Sequence, residues 1–265
     1  GTTDLPSIVF SGGPMLNGYY KGDLIGSGTV LWHARNLLAA GEIDFEDFME
    51  MTTSASPSIG HCNTMGTALS MNAIAETLGM SLPSCASIPA PYQERAQMAY
   101  KTGKRIVDMV KEDLRPSKIM TKQAFENAIV VSSALGASSN CPPHLIAIAR
   151  HIGIDLKLED WQSIGEHIPL LVNCMPAGKY LGEDFHRAGG VPAVMNELSK
   201  AGKIHTDCLT VTGETMGKNL VKFPNTNPDV IYSYDNPLKS RAGFIVLSGN
   251  FFDNAIIKMS VVGEK

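Results

Sequence analysis

The chain has 265 residues, 44% of them hydrophobic and 18% charged, which is enough apolar content to bury a substantial core in one large domain or two smaller ones. A formal net charge of -4, with Lys and Arg scattered along the chain, offers no basic patch for nucleic acid or an anionic membrane surface. Apolar runs such as Ile168-Pro169-Leu170-Leu171-Val172 are too short to span a bilayer, and Gly1-Thr2-Thr3-Asp4 is no secretory signal. A soluble cytoplasmic protein is the expectation, or a mitochondrial one if the chain is eukaryotic and its N-terminus is missing.

In chain order, Ser7-Ile8-Val9-Phe10 predicts a short buried strand that runs into Ser11-Gly12-Gly13-Pro14-Met15, a turn in which glycine permits unusual dihedrals or close backbone approach. A strand feeding such a turn often borders a ligand site, and an ordinary tight turn is the other reading. Gly26-Ser27-Gly28-Thr29 leads into a helix over Val30–Leu38 ended by Gly41, and Asp44 caps a second helix through about Ser54. Ser58-Ile59-Gly60-His61-Cys62-Asn63-Thr64 is a loop feeding a helix from Met65 to Leu78, with Gly79 as its C-cap. Cys62 therefore sits at a loop–helix junction, where free backbone amides and the helix dipole favour a negative sulfur.

Beyond it, Ser87-Ile88-Pro89-Ala90-Pro91-Tyr92 predicts an extended linker, and a long helix follows from Glu94 to Val110. Thr121 starts a helix towards Leu135, then comes the small polar loop Gly136–Asn140 and a helical segment from Pro143 to Arg150. Thr210–Thr215 and Phe244–Asn250 predict strands, Asn225-Thr226-Asn227-Pro228 an exposed loop, and a domain boundary falls near residues 220 to 240.

The five cysteines, Cys62, Cys85, Cys141, Cys174 and Cys208, are odd in number and widely spaced, which argues against a disulfide framework. No pair has zinc-finger spacing, so most read as buried, inert thiols. Cys85 follows the helix that Cys62 precedes, and a helix of that length separates the two by roughly 20 Å at about 1.5 Å per residue, too far for one cluster.

Five motifs carry a family resemblance: Ser11-Gly12-Gly13-Pro14-Met15, Gly60-His61-Cys62-Asn63-Thr64-Met65-Gly66-Thr67-Ala68, Ile88-Pro89-Ala90-Pro91-Tyr92, Pro176–Asp184 and His186–Val194. In this order they resemble the dihydroxy-acid/sugar-acid dehydratase family, which includes the dihydroxy-acid and phosphogluconate dehydratases. The likeness is nearest to pentonate dehydratases acting on arabinonate or xylonate.

The resemblance implies a hydro-lyase that converts a 2,3-dihydroxy acid or sugar acid into a 2-keto-3-deoxy acid, in sugar-acid metabolism or branched-chain amino acid biosynthesis. It implies an iron-sulfur cluster, commonly [2Fe-2S], held by three cysteines, with one iron open as a Lewis acid for the departing hydroxyl. It further implies Mg2+ at the substrate's carboxylate end, a serine base and a homo-oligomer. Cys62 matches the last cluster cysteine. Ser11, Gly12, Gly13 and His61 are candidate substrate contacts, although His61 reads equally as a group tuning the cluster or as a packed loop histidine.

His144 and His186 read as structural residues, Lys179 equally as a contact to an acidic substrate or a surface turn residue, and the Glu183–Asp184 pair as a solvated or capping feature. The first two cluster cysteines, the Mg2+ lysine and the serine base belong to motifs expected outside this chain, which looks like an internal fragment. The implied fold is α/β: a parallel-sheet layered domain over residues 1–228, lacking its N-terminal part, and the start of a C-terminal β-rich, barrel-like domain over 229–265. A truncated, catalytically incomplete paralogue acting as a binding or subunit-pairing scaffold is the alternative.

Overall fold

The structure, a computed structural model, describes residues 3–263. Helices dominate it. After a hairpin of β1 (Gly18–Tyr20) and β2 (Asp23–Ile25) come α1 (Ser27–Ala40), α2 (Phe45–Ser54), α3 (Thr67–Thr77), α4 (Gln93–Lys111) and α5 (Pro116–Ile119). They are followed by α6 (Lys122–Ala134), α7 (Cys141–His151), α8 (Glu159–Gly165), α9 (Gly182–Arg187), α10 (Gly190–Lys200) and α11 (Met216–Leu220). A second hairpin, β3 (Phe244–Leu247) and β4 (Ala255–Lys258), closes the described chain with a short 3-10 turn.

The helices begin and end where local chemistry directs. Asp44 accepts a hydrogen bond from the Asp47 amide at the head of α2, and Thr121 does the same for Ala124 at the head of α6. Gly41 ends α1 in the left-handed conformation, at φ 73°.

The core centres on α6, whose Phe125, Ala128, Ile129, Val131 and Ala134 are all fully buried. It packs with α3 through Leu69, Ala73 and Ile74, with α10 through Val191, Val194 and Leu198, and with Trp161 of α8. The helix α3 has buried positions on several sides, as a central helix must.

The sheets differ from the expected parallel layer. Both are two-stranded and antiparallel, and parallel pairing among the described residues is confined to the isolated bridges Pro14 with His61 and Cys174 with Tyr180. Ser7–Phe10 is extended but forms no strand: Val9 donates its amide to the Met80 carbonyl, and Val9 and Phe10 are exposed rather than buried. Thr210–Thr215 is a tight turn, with the Thr210 amide on the Glu214 carbonyl. The His186–Val194 motif contains the end of α9 and the start of α10, joined at Gly189 with φ 113°. Phe244–Leu247 is a strand as expected, and no described helix is long and apolar enough to cross a membrane.

Candidate functional site

Cys62 lies in the loop before α3, but that helix begins only at Thr67, so its N-terminus is not what the thiol faces. The sulfur instead meets the N-terminus of α1. Ser27, the first residue of α1, donates its hydroxyl to Cys62 Sγ at 3.2 Å, and the Thr64 hydroxyl lies 2.9 Å from the same sulfur. The Cβ of a side chain at Gly28 would stand 3.1 Å from the sulfur, so the glycine lets α1 press against it. The thiol is half-buried, and the Ser27 and Thr64 hydroxyls hold it beside the first residues of α1.

Asn63 fixes this geometry. It is fully buried, and its Oδ1 accepts from the Ser27 amide at 2.9 Å and lies 3.1 Å from the Ser27 hydroxyl, whose single proton it shares with Cys62 Sγ. Gly26 gives α1 no side-chain cap, so Asn63 supplies one from a distant part of the chain. Its Nδ2 donates to the Leu16 carbonyl at 2.9 Å, and its own carbonyl accepts from the Gly182 amide at 2.7 Å, at the head of α9.

His61 is held on both sides of its ring. Nδ1 lies 2.9 Å from the Cys62 carbonyl and Nε2 2.9 Å from Asn72 Nδ2, so the proton assigned to Nδ1 leaves Nε2 to accept from the amide. Burial pushes this histidine below its ordinary value, in keeping with a neutral ring. With both nitrogens engaged inside the protein, His61 orients the loop. Its backbone continues the pattern: the His61 amide donates to the Gly13 carbonyl at 3.0 Å, and the Met15 amide to the His61 carbonyl at 2.9 Å.

That pairing brings the Ser11–Met15 turn alongside the Cys62 loop. Ser11 is buried, and its hydroxyl donates to the Cys85 carbonyl at 2.9 Å. Gly12 is exposed, with open space where a side chain would stand. Gly13 adopts φ 92°, and a Cβ there would strike the Ile88 carbonyl and the Arg95 guanidinium. The structure therefore joins Gly13, His61 and Cys62 in one layer and turns the Ser11 hydroxyl to Cys85.

The other four cysteines are buried, in line with their reading as inert thiols. Burial pushes the Cys141 thiol up to about 12 and raises Cys174 and Cys208. Glu183 and Asp184 prove to be structural acids. Asp184 Oδ2 accepts from the Leu181 amide at 3.1 Å and from Asn17 Nδ2 at 3.0 Å. Burial raises the Glu183 carboxyl, but the Asn17 amide, the Tyr92 hydroxyl and Arg187 outweigh it and hold the group below its ordinary value. His144 and Lys179 are exposed, and His186 packs edge-on against the Tyr92 ring.

Three residues of this site escape a reading of motifs alone. Ser27 and Thr64 sit inside motifs that assign them no role, and Arg95 opens onto the turn from α4. Among the described residues no group of three or more His, Cys, Asp or Glu converges as a metal site. Cys62 offers one sulfur donor, so these residues on their own do not hold an iron-sulfur cluster or a magnesium ion.

Comparison with known proteins bears on this arrangement. Residues 1–219 match the family described as dihydroxy-acid/6-phosphogluconate dehydratase, N-terminal. The chain is 57% identical over 264 residues to a D-xylonate dehydratase of Caulobacter vibrioides, covering 100% of this chain and 44% of the relative. It is 51% identical to an L-arabinonate dehydratase of Rhizobium leguminosarum, covering 97% and 45%, and 44% identical to a dihydroxy-acid dehydratase of Caldanaerobacter subterraneus, covering 99% and 47%. The chain thus spans less than half the length of these curated relatives. The Gly13, His61 and Cys62 layer lies within the matched residues, and on that match the chain belongs to the dihydroxy-acid/6-phosphogluconate dehydratase family.

Proposed function

We propose that the protein carrying this chain is an iron-sulfur hydro-lyase that dehydrates a sugar acid to a 2-keto-3-deoxy acid, with pentonates as the substrate class. The observation that carries the reading is the Cys62 thiol, half-buried and held by Ser27 and Thr64 at the head of α1. Cys62 is one ligand of the cluster, and the remaining ligands and the Mg2+ site come from residues outside the described set. When bound, the cluster supplies a Lewis acid for the departing hydroxyl.

What this chain's own residues do is narrower. Ser27 and Thr64 orient the sulfur, and His61 holds the loop through the Cys62 carbonyl. The higher identities to the relatives named for D-xylonate and L-arabinonate support a pentonate over a branched dihydroxy acid. The β3–β4 hairpin is read as the opening of the β-rich domain expected after residue 228.

The test is anaerobic reconstitution, with iron and sulfide, of the full-length protein that carries this chain, followed by assay of 2-keto acid release from D-xylonate, L-arabinonate and a branched dihydroxy acid. Charge-transfer absorption with turnover of a pentonate is expected. Cys62→Ser should abolish both while leaving unfolding by urea within about 1 kcal/mol of wild type, as befits a half-buried side chain. Turnover retained by that variant overturns the ligand role.

A further inference from the structure

We propose that Arg95 is the positioning residue for Cys62: its guanidinium sets the Ser11–Gly13 turn, and that turn sets the loop presenting the thiol. The inference rests on the reading of Cys62 as the functional sulfur. It concerns how that sulfur is held rather than what it binds.

Arg95 stands in the first turn of α4 and is 7% exposed. A buried cation is costly unless its donors are used, and a plain core position is filled more cheaply by an apolar side chain. Here the donors go to backbone carbonyls. Nη1 donates to Ser11 O at 2.9 Å and to Cys85 O at 2.8 Å, and Nη2 donates to Ile88 O. The Phe10 ring covers one face, with its centroid 5.5 Å from Cζ. Nε has no partner among the described residues, and Glu76 acts on the cation only through space.

The three carbonyls belong to the two segments that enclose Gly13. A Cβ on Gly13 would lie 2.5 Å from Arg95 Nη2 and 3.0 Å from the Ala90 amide, so the turn rests directly on the guanidinium. On its far side the same turn meets the Cys62 loop. The Gly13 carbonyl accepts the His61 amide at 3.0 Å, the Met15 amide returns to His61 O at 2.9 Å, and the Pro14 carbonyl accepts the Ala90 amide at 2.9 Å. The order of contact is therefore the Arg95 guanidinium, the Ser11–Gly13 turn, His61 and Cys62, through backbone at each step after the first. A side chain that held only the 85–88 segment would have no reason to reach Ser11.

The guanidinium is suited to this task by shape. Its fixed fork reaches carbonyls on two segments at once, which the single ammonium of lysine does not. Removing it leaves the Ser11 and Ile88 carbonyls without their donor, leaves the Cys85 carbonyl with the Ser11 hydroxyl alone, and frees the turn to shift relative to α4.

The test follows the Cys62 thiol directly and needs no bound cluster. In the full-length protein, freed of metal by chelation, the rate of alkylation by iodoacetamide is measured at Cys62, with the site assigned by peptide mass spectrometry. Arg95→Met is compared with Arg95→Lys and with Met109→Ala, a cavity variant in the same helix. Local opening of the loop should raise the Cys62 rate about tenfold in R95M and about threefold in R95K, with M109A within about twofold of wild type. If R95M does not fold, R95K decides. A wild-type rate in R95K, or a rise in M109A equal to that of R95M, overturns the proposal. Failure of Cys62 as a cluster ligand would appear in the reconstitution experiment and leave these rates untouched, so the two failures are distinguishable.

Discussion

The Ser27 hydroxyl donates to the Cys62 sulfur across 3.2 Å, joining the first residue of α1 to a loop that precedes a different helix. The thiol is thus set by a partner 35 residues earlier in the chain and not by the helix that follows it. Close approach of α1 is what makes the bond possible, and glycine at position 28 permits that approach.

Gly28→Ala separates two opposing effects. A helical Gly→Ala change ordinarily gains about 0.5–1 kcal/mol. At this position the new Cβ would stand 2.7 Å from Thr64 Oγ1 and 3.1 Å from Cys62 Sγ, a crowding that costs roughly 1–3 kcal/mol. A net loss is expected in urea unfolding. Gly103→Ala in α4, where nothing lies within 4 Å of the added Cβ, should show the uncompensated gain of about 0.5–1 kcal/mol.

Asn63 tests the cap supplied from outside the helix. Asn63→Ala leaves the Ser27 amide and the Leu16 carbonyl without partners in a buried site and should cost about 2–4 kcal/mol. Asn63→Asp keeps the acceptor for Ser27 but replaces the donor to Leu16 with a second acceptor. Its loss should match or exceed that of the alanine variant at neutral pH, as thermal melting would report.

The helix ends and the Cys62 loop are legible in the amino-acid sequence. Asp44, Thr121, Gly41 and Gly79 mark helix ends because capping is local chemistry, and the Cys62 loop stands out because small residues around a lone thiol are unusual in a helix lead. The roles of Asn63 and Arg95 are not legible there. Each depends on carbonyls and amides from distant segments, and nothing in the neighbouring sequence announces them. Ser7–Phe10 has the composition of a strand but gains only a single amide contact to Met80, and a strand needs a ladder. The α9–α10 pair is hidden by Gly189 and Gly190, which mark a junction between two helices and not a loop.

Glu76 gives a pH dependence of stability. Its carboxylate is buried in α3 and accepts from the Ser84 amide at 2.7 Å and the Ala86 amide at 2.8 Å, yet desolvation still raises it from 4.5 to about 7. A carboxyl raised on folding binds its proton more tightly in the folded state, so the stability it contributes is full below pH 4.5 and is lost as pH rises to about 7. The loss is on the order of 3 kcal/mol. Burial lowers His61 and His186, and their contribution runs the opposite way. The difference between wild type and Glu76→Gln in urea unfolding from pH 5 to 8 removes them. A flat difference would contradict the assignment to Glu76.

Gly13→Ala should be the most damaging single methyl group in the chain's first turn. It combines a left-handed φ of 92° with direct overlap on the Ile88 carbonyl and the Arg95 guanidinium. A loss of about 3 kcal/mol or more is expected, or failure to accumulate folded protein, readable by circular dichroism and urea titration.

The bond from the Gly182 amide to Asn63 O also orders events in time. On the ribosome, Cys62 emerges long before Gly182, and until that later segment arrives the Asn63 hub lacks one of its supports. Ordering of the Cys62 loop is accordingly complete only after the fold has closed around α9.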